Sequence, residues 1–216
     1  MVPSRDPARL GEADDEALVR ASRSGGAAGR AALERLLLRH EKQLYATCRR
    51  MVSDRDVARD LTQDTLVRVI GAIGSFDGRA RFTTWMTQIA INVCISYLRK
   101  QKHRRGPSLE AAVGDGEPAR NRLESTEPAP GRRVELDDDL NRVDRAMQTL
   151  PGEQRAILVL RDVRGFEYRE IAEALHLPVG TVKSRLFRAR QALREAVEAL
   201  ERPHPSAPAG GRHEQR

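Results

Sequence analysis

Hydrophobic residues recur at helical spacing through residues 28–105, and no stretch there alternates as a half-buried strand would. Steps of three and four residues predict a buried stripe on each of three helices. The stripe of the helix over residues 28–52 contains Leu33, Leu37, Leu44, Cys48 and Met51. The next helix follows the cap residues Ser53 and Asp54, runs to about residue 73, and buries Ala58, Leu61, Thr65, Val69 and Ile73. The third, from about residue 83 to 103, buries Trp85, Ile89, Val93 and either Tyr97 or Leu98.

A shorter helix is predicted ahead of these three, over residues 13–23. Asp14, Asp15 and Glu16 would lie in its first turn, where carboxylates interact favourably with the helix dipole. A Ser-Gly-Gly run then ends the helix. The four helices together predict a first domain that closes near residue 105.

The second half of the chain contains four more predicted helices, after a segment without periodicity. Residues 106–138 mix proline and glycine with charged residues, which is typical of a flexible linker. Beyond the linker, apolar spacing predicts helices near residues 140–150 and 156–163, then over 167–175 and 179–200.

Composition agrees with small helical units, because aromatic residues make up 4% of the chain and charged residues 32%. We therefore predict an all-α fold with two small helical domains, residues 13–105 and 139–200, each burying a modest core of its own. The ends, residues 1–12 and 201–216, are predicted to be disordered. A net charge of +7 favours a polyanionic partner, although it fits an anionic membrane surface or simple solubility equally well.

Several classes of function lack their sequence features. The start of the chain has no apolar signal-peptide core and no later stretch is long enough to span a bilayer, which predicts a cytoplasmic protein without membrane insertion. There is no phosphate-binding loop or nucleophile elbow, and the histidines are scattered. We therefore expect no enzyme activity, no catalytic residues, no metal and no cofactor. The apolar helical positions of Cys48 and Cys94 favour packing over redox control.

The stretch LHLPVGTVKSRLFRARQALRE, residues 175–195, carries the strongest cluster of positive charge. A short helix, a turn at His176 and Leu177, and a helix entered through Pro178 predict a helix-turn-helix, whose second helix enters the DNA major groove. A solvated charged face is the alternative for a basic helix considered alone, but the preceding helix and turn favour DNA. The predicted DNA contacts are Thr181, Lys183, Ser184, Arg185, Phe187, Arg188 and Arg190.

A second polar surface is predicted on the helix that follows Asp54, opposite its apolar stripe. It contains Asp56, Asp60, Gln63, Asp64 and Val67. Its carboxylates could bind a basic partner helix. On the residues alone, a solvated acidic stripe is the stronger interpretation.

Two long segments resemble the sigma-70 family of bacterial RNA polymerase initiation factors. DVARDLTQDTLVRVIGAIGSFDGRARFTTWMTQIAINVCISYLRK, residues 56–100, is similar to region 2 of that family. LPGEQRAILVLRDVRGFEYREIAEALHLPVGTVKSRLFRARQALRE, residues 150–195, is similar to region 4. Their order, with a short linker and no region 3 between them, resembles the extracytoplasmic-function (ECF) subgroup.

The resemblance implies an alternative sigma factor that brings core RNA polymerase to promoters. In the family, the helix containing DLTQD docks on the clamp helices of the polymerase's largest subunit, which gives the acidic surface a partner. The following segment reads and opens the −10 element, and a loop equivalent to residues 75–81 captures a flipped base. The implied −10 contacts are Arg79, Arg81, Thr84, Gln88, Asn92 and Lys100. The helix-turn-helix contacts would then lie on the −35 element.

An alternative function also fits the residues. A stand-alone helix-turn-helix regulator would bind its operator tightly without polymerase, whereas a sigma factor needs the core enzyme. The linker is either a simple tether or, as in the family, a segment that threads through the polymerase. An anti-sigma partner is implied by the resemblance alone. Nothing in the residues identifies that partner, the inducing signal or the promoter sequence.

Overall fold

The computed structural model describes the backbone of residues 7–105 and 133–201. Within these ranges the chain is helical and contains no strand, so the predicted all-α class is confirmed. The helices are α1 Pro7–Ser22, α2 Gly26–Met51, α3 Arg55–Ala72, α4 Phe82–Arg105, α5 Arg133–Thr149, α6 Gly152–Leu158, α7 Tyr168–Leu175 and α8 Val179–Glu201. A 3-10 turn, Ile73–Ser75, follows α3, and a π-helical turn, Val159–Val163, follows α6.

The first four helices pack around α2, which contacts α1, α3 and α4. The predicted stripe of α3 is confirmed, because all five of its residues are buried. On α2, Leu33 and Leu37 are only half-buried, whereas Leu36 and His40 are buried. The difference arises because α1 covers a second side of α2 and widens its buried face.

The buried face of α4 is displaced from its predicted stripe. Val93 is buried as predicted, and so are Met86, Ala90 and Cys94, while Trp85 and Ile89 lie at the half-buried edge. The cause is that α4 packs on both sides, against α2 and α3 and also against α6 and α7. A helix covered on two sides carries no single narrow apolar stripe.

The cysteines pack as the sequence indicates. Cys48 and Cys94 are free thiols without solvent exposure. A hydrogen bond with Cys48, together with burial, raises the pKa of Cys94.

The ends of the helices differ from the sequence-based expectations at two places. Helix α1 begins at Pro7 and α5 begins at Arg133, so each extends into a segment expected to lack structure. Because α1 starts earlier, Asp14 and Asp15 lie inside the helix rather than in its first turn. The Asp15 carboxylate is buried there and forms hydrogen bonds with Arg39 and His40 of α2. It therefore does not lie at the N-terminus of its own helix, where it was expected to interact with the helix dipole. Residues 1–6, 106–132 and 202–216 lie outside the described part.

The second half forms a smaller bundle in which α5, α6 and α7 all contact α8. Helix α7 begins with a capping box, in which the Glu170 carboxylate accepts the backbone N–H of Glu167 at 2.7 Å. It ends at His176, whose φ of 52° is the left-handed conformation that terminates a helix. The predicted turn is therefore confirmed, and Val182, Leu186 and Ala189 form the buried face of α8.

The two bundles bury one continuous hydrophobic cluster rather than two separate cores. Helix α4 meets α6 where Gly152 lies against Leu98, and a Cβ on Gly152 would lie 2.8 Å from Leu98 Cδ1. Only glycine therefore fits this contact without movement of the leucine. No helix in the described ranges is long and apolar enough to cross a membrane.

Polar groups from the second bundle complete the junction by bonding to the end of α2. Gln148 Nε2 donates to the carbonyl of Arg50 at 3.1 Å, and the Arg155 guanidinium donates to the carbonyl of Met51. The Arg164 guanidinium donates to the hydroxyl of Thr47, with an Nε–Oγ1 distance of 3.0 Å. Burial lowers the pKa of Arg155 to about 10, so this group is still charged at neutral pH.

The cap of α3 gives a direct test of this local structure. Asp54 accepts the backbone N–H groups of Asp56 and Val57 at 2.8 and 3.1 Å. Asp54→Ala should lower the free energy of unfolding by about 1 kcal/mol, because two N–H groups lose their acceptor. Urea denaturation measures the change, with Ser53→Ala as the control. An equal loss from both variants would contradict the cap.

Candidate polymerase and promoter interfaces

The acidic surface predicted on α3 is exposed throughout. Asp56, Asp60, Gln63, Asp64 and Val67 all face solvent, opposite the buried stripe. Val67 is 68% exposed and Ile70, one turn along, is 49% exposed. The structure thus shows an apolar patch beside the acids. The sequence-based surface included Val67 of this patch but not Ile70. A surface of this kind suits a partner that offers both basic and apolar side chains.

Residues 75–81 form the predicted base-capture loop between α3 and α4. Gly78 has a φ of 77°, a conformation that favours glycine, and Asp77 Oδ1 accepts the backbone N–H of Arg79 at 3.0 Å. Phe76 is buried at the base of the loop against Phe82 and Trp85, with ring centroids 6.0 and 5.0 Å away. Both α4 aromatics therefore pack beneath the loop, in agreement with the packing role expected for them.

A buried polar network behind this aromatic cluster was not predicted. His40 Nε2 lies 2.7 Å from Asp15 Oδ2, and Arg39 Nη1 donates to Asp15 Oδ1 at 2.8 Å. The His40 ring centroid is 5.7 Å from that of Phe82. Helix α1 is thus tied through α2 to the aromatic base of the loop. His40 lies seven residues after Leu33 and four after Leu36, and this helical spacing with apolar residues was the available signal in the sequence.

A cavity of about 270 Å³ lies between α1 and the loop. Its walls include Asp15, Val19 and Arg20 of α1 and Phe76 and Phe82 of the loop region. The lining mixes the carboxylates of Asp15 and Glu16 with arginine side chains, and its two phenylalanines are buried.

The six predicted −10 contacts are not equally accessible. Arg79, Arg81, Asn92 and Lys100 are exposed, Gln88 is half-buried and Thr84 is buried. Thr84 and Thr87 line a cleft whose other side is formed by residues 164–170 of the second bundle. Thr84 is therefore covered in this arrangement of the bundles.

The predicted contacts on α8 fall into two groups. Thr181, Lys183, Ser184, Phe187 and Arg188 are exposed or half-exposed along the start of the helix, and Phe187 is 71% exposed. Arg185 and Arg190 are already paired.

The two paired arginines have different partners. Arg190 binds both carboxylate oxygens of Asp162, with an Nε–Oδ2 distance of 3.1 Å, and this hydrogen bonding raises its pKa. Arg185 Nη1 lies 3.1 Å from Glu153 Oε2. Arg190 therefore braces α8 within its own bundle, which the spacing of charges did not indicate.

Comparison with known families assigns both bundles. The family profile for sigma-70 region 2 matches residues 36–104, and that for sigma-70 region 4 matches residues 140–193. The RNA polymerase sigma-H factor of Pseudomonas aeruginosa is 34% identical over 175 residues, covering 78% of this chain and 88% of the relative. The chain belongs to the sigma-70 family of RNA polymerase sigma factors.

Other relatives place this sigma factor in the ECF subgroup. The ECF RNA polymerase sigma-E factor of Escherichia coli K12 is 33% identical over 166 residues, covering 76% of this chain and 86% of the relative. Among solved structures, the sigma factor RpoE in complex with the anti-sigma factor NepR from Bartonella quintana is similar, with a TM-score of 0.55 and 28% identity over 76% of this chain and 96% of that one. CnrH, solved with the cytosolic domain of CnrY, has the same TM-score at 23% identity and supports the fold alone.

The chain is therefore an alternative sigma factor that directs transcription initiation. Sigma factors are initiation factors and not enzymes. The relatives give no support to the alternative function, a stand-alone helix-turn-helix regulator.

The buried network between α1 and α2 gives a testable prediction for the loop region. Asp15→Asn should lower the free energy of unfolding by about 1–3 kcal/mol, because the buried His40 ring and the partly exposed Arg39 guanidinium lose their carboxylate partner. Guanidinium denaturation measures the loss. Asp14 pairs with the same arginine but its side chain is 54% exposed, so Asp14→Asn is the matched control with a much smaller effect. Equal losses would show that burial of Asp15 is not what makes the contact strong.

Proposed function

We propose that this sigma factor docks on core RNA polymerase through the exposed face of α3 and holds promoter DNA through α4 and α8. The observation that carries the proposal is the fully exposed row of acids and apolar side chains on α3, within a region 2 match. A clamp helix of the polymerase's largest subunit would meet carboxylates at Asp60 and Asp64 and an apolar patch at Val67. Such complementarity sets orientation and association rate.

In region 2, residues 13–105, the loop and α4 would hold the melted −10 strand. Exposed Arg79, Arg81 and Lys100 suit its phosphates, while Gln88 and Asn92 offer amides to base edges. The cavity of about 270 Å³ between α1 and the loop would accept an extruded base beside the arginines of its lining.

In region 4, residues 139–200, α8 would enter the major groove of the −35 element. Exposed Lys183 and Arg188 would contact phosphates or guanine, and Phe187 offers an exposed apolar face. Residues 106–138 would tether the two regions. We expect the ion pair between Arg190 and Asp162 to hold α8 in position, so that Arg190 does not contact bases.

The setting of this activity follows from the same family. The chain would act in the cytoplasm, with phosphodiester synthesis left to the polymerase and no cofactor of its own. An anti-sigma protein is a further expected partner, because a similar sigma factor has been solved in complex with one.

Charge reversal on α3 tests the polymerase contact. The double variant Asp60→Arg and Asp64→Arg should weaken binding to core polymerase by about tenfold or more, because two attractive contacts become repulsive. Fluorescence anisotropy of labelled sigma factor titrated with core enzyme measures the affinity. Reversal of Glu34, an exposed acid on α2, is the control. If the double variant and the Glu34 variant both bind core polymerase as tightly as the parent, α3 is not part of the interface.

Salt dependence tests the phosphate contact on α8. Arg188→Ala should weaken binding of the holoenzyme to −35 duplex uniformly across sequences and reduce the slope of log K against log salt by about 1. Arg194→Ala, an exposed arginine further along α8, is the control and should leave the slope unchanged. A slope unaffected by Arg188→Ala would show that this guanidinium does not neutralise a phosphate.

A further inference from the structure

His40 is a buried polar residue of α2 that lies outside all of the predicted contacts. Its Nε2 is 2.7 Å from Oδ2 of Asp15, which is buried on α1. Arg39 donates to the other oxygen of this carboxylate at 2.8 Å, so both oxygens of Asp15 have partners. Helix α1 lies ahead of the residues that match the region 2 profile, and the match therefore assigns Asp15 no role.

The hydrogen bond between His40 and Asp15 fixes the orientation of a ring. Moving a carboxylate and an imidazole out of water costs free energy that their attraction often only balances, and apolar side chains of similar volume can fill a core equally well. The bond, however, requires that Nε2 of the ring points at the carboxylate. A polar pair in this position therefore selects one orientation of the His40 ring.

The oriented ring packs against the aromatic side chains beneath the base-capture loop. Its centroid is 5.7 Å from that of Phe82, and the planes of the two rings are inclined by 47°. The Phe82 centroid is in turn 6.0 Å from that of Phe76, in an edge-on arrangement. Phe76 is the second residue of the loop over residues 75–81 and is buried. Two ring contacts thus join His40 to the loop.

The position of the loop depends on these rings more than on its own turn. Asp77 Oδ1 accepts the backbone N–H of Arg79 at 3.0 Å, which shapes the turn around Gly78 but does not attach it to a helix. Phe76 and Phe82 also line the cavity of about 270 Å³ that is proposed to accept an extruded base. A shift of either ring would therefore change the shape of that cavity.

We propose that His40 is a positioning residue for capture of the −10 strand: Asp15 fixes the ring of His40, and this ring holds Phe82 and Phe76 where the loop selects one extruded base. The inference rests on the proposed function, because it concerns the same loop and the same base. His40 is not among the residues that line the cavity, so it would act through the two phenylalanines and not by contact with DNA.

Two substitutions of His40 separate the ring from the hydrogen bond. His40→Gln keeps an amide that can donate to Asp15 but removes the ring, whereas His40→Phe keeps a ring beside Phe82 but removes the donor. We expect His40→Phe to lose more stability in guanidinium denaturation, because a buried carboxylate oxygen loses its hydrogen bond. We expect His40→Gln to lose more base selection. A purely structural role for His40 predicts the same order of the two variants in both measurements.

Base selection is measured with the holoenzyme and single-stranded −10 oligonucleotides from a promoter that it transcribes. At each position, the Kd for a changed base divided by the Kd for the promoter base gives a ratio that does not depend on the active fraction of the protein. The parent should discriminate by about fivefold or more at the captured base. His40→Gln should abolish this discrimination at that one position, and His40→Phe should retain it.

Asp54→Ala is the control for loss of stability within region 2. It removes the cap at the end of α3 that is opposite the loop, and it should leave the ratio unchanged at every position. If either His40 variant does not fold, His40→Asn also removes the ring and Asp15→Asn also keeps it.

The outcomes distinguish this inference from the function on which it rests. An unchanged ratio in the variant without the ring would overturn the inference, and so would equal losses in the variants with and without the ring or an equal loss at every position. If the parent shows no discrimination at any −10 position, the proposed function itself is overturned.

Discussion

The last turn of α2 exposes carbonyl groups that its own helix cannot pair, and the arrangement of the two regions depends on which donors reach them. Region 4 provides two such donors, Gln148 and Arg155, and Arg164 donates one turn earlier to the hydroxyl of Thr47. Because these side chains come from α5, α6 and the turn after it, their bonds also hold the small bundle against α2. The hydrophobic cluster is continuous across the same junction. Leaving these groups without partners in a dry junction would cost free energy at each one.

The sequence was sufficient for several patterns that depend on neighbours a few residues apart. The stripe of α3, the cap at Asp54 and the helix, turn and helix around His176 all belong to this class. The helix limits were less predictable at Pro7 and Arg133, since charged and proline-containing stretches carry little apolar periodicity. The sequence also did not indicate that α4 is buried on two sides, because the helices on its second side, α6 and α7, come from a distant part of the chain.

The sequence could not indicate which charged side chains of the site are already paired, because their partners lie far away along the chain. The spacing of arginines on α8 cannot distinguish Arg188, which is exposed, from Arg190, which is held by Asp162. Likewise, Asp15 has the appearance of a helix-capping acid until α2 brings His40 within 2.7 Å. Family resemblance supplied the roles of the two regions, whereas only the three-dimensional arrangement shows that Glu153 links α4 to α8, the helices that carry the predicted −10 and −35 contacts.

Binding of this chain to core RNA polymerase should determine where transcription starts. Runoff transcription on a library of promoter fragments, with purified core enzyme in the presence and absence of the chain, measures this choice when the transcript starts are sequenced. We expect new, discrete start sites that appear only when the chain is present and that share a −35 and a −10 element. Identical start sites with and without the chain, in the presence of an intact complex with core, would contradict it.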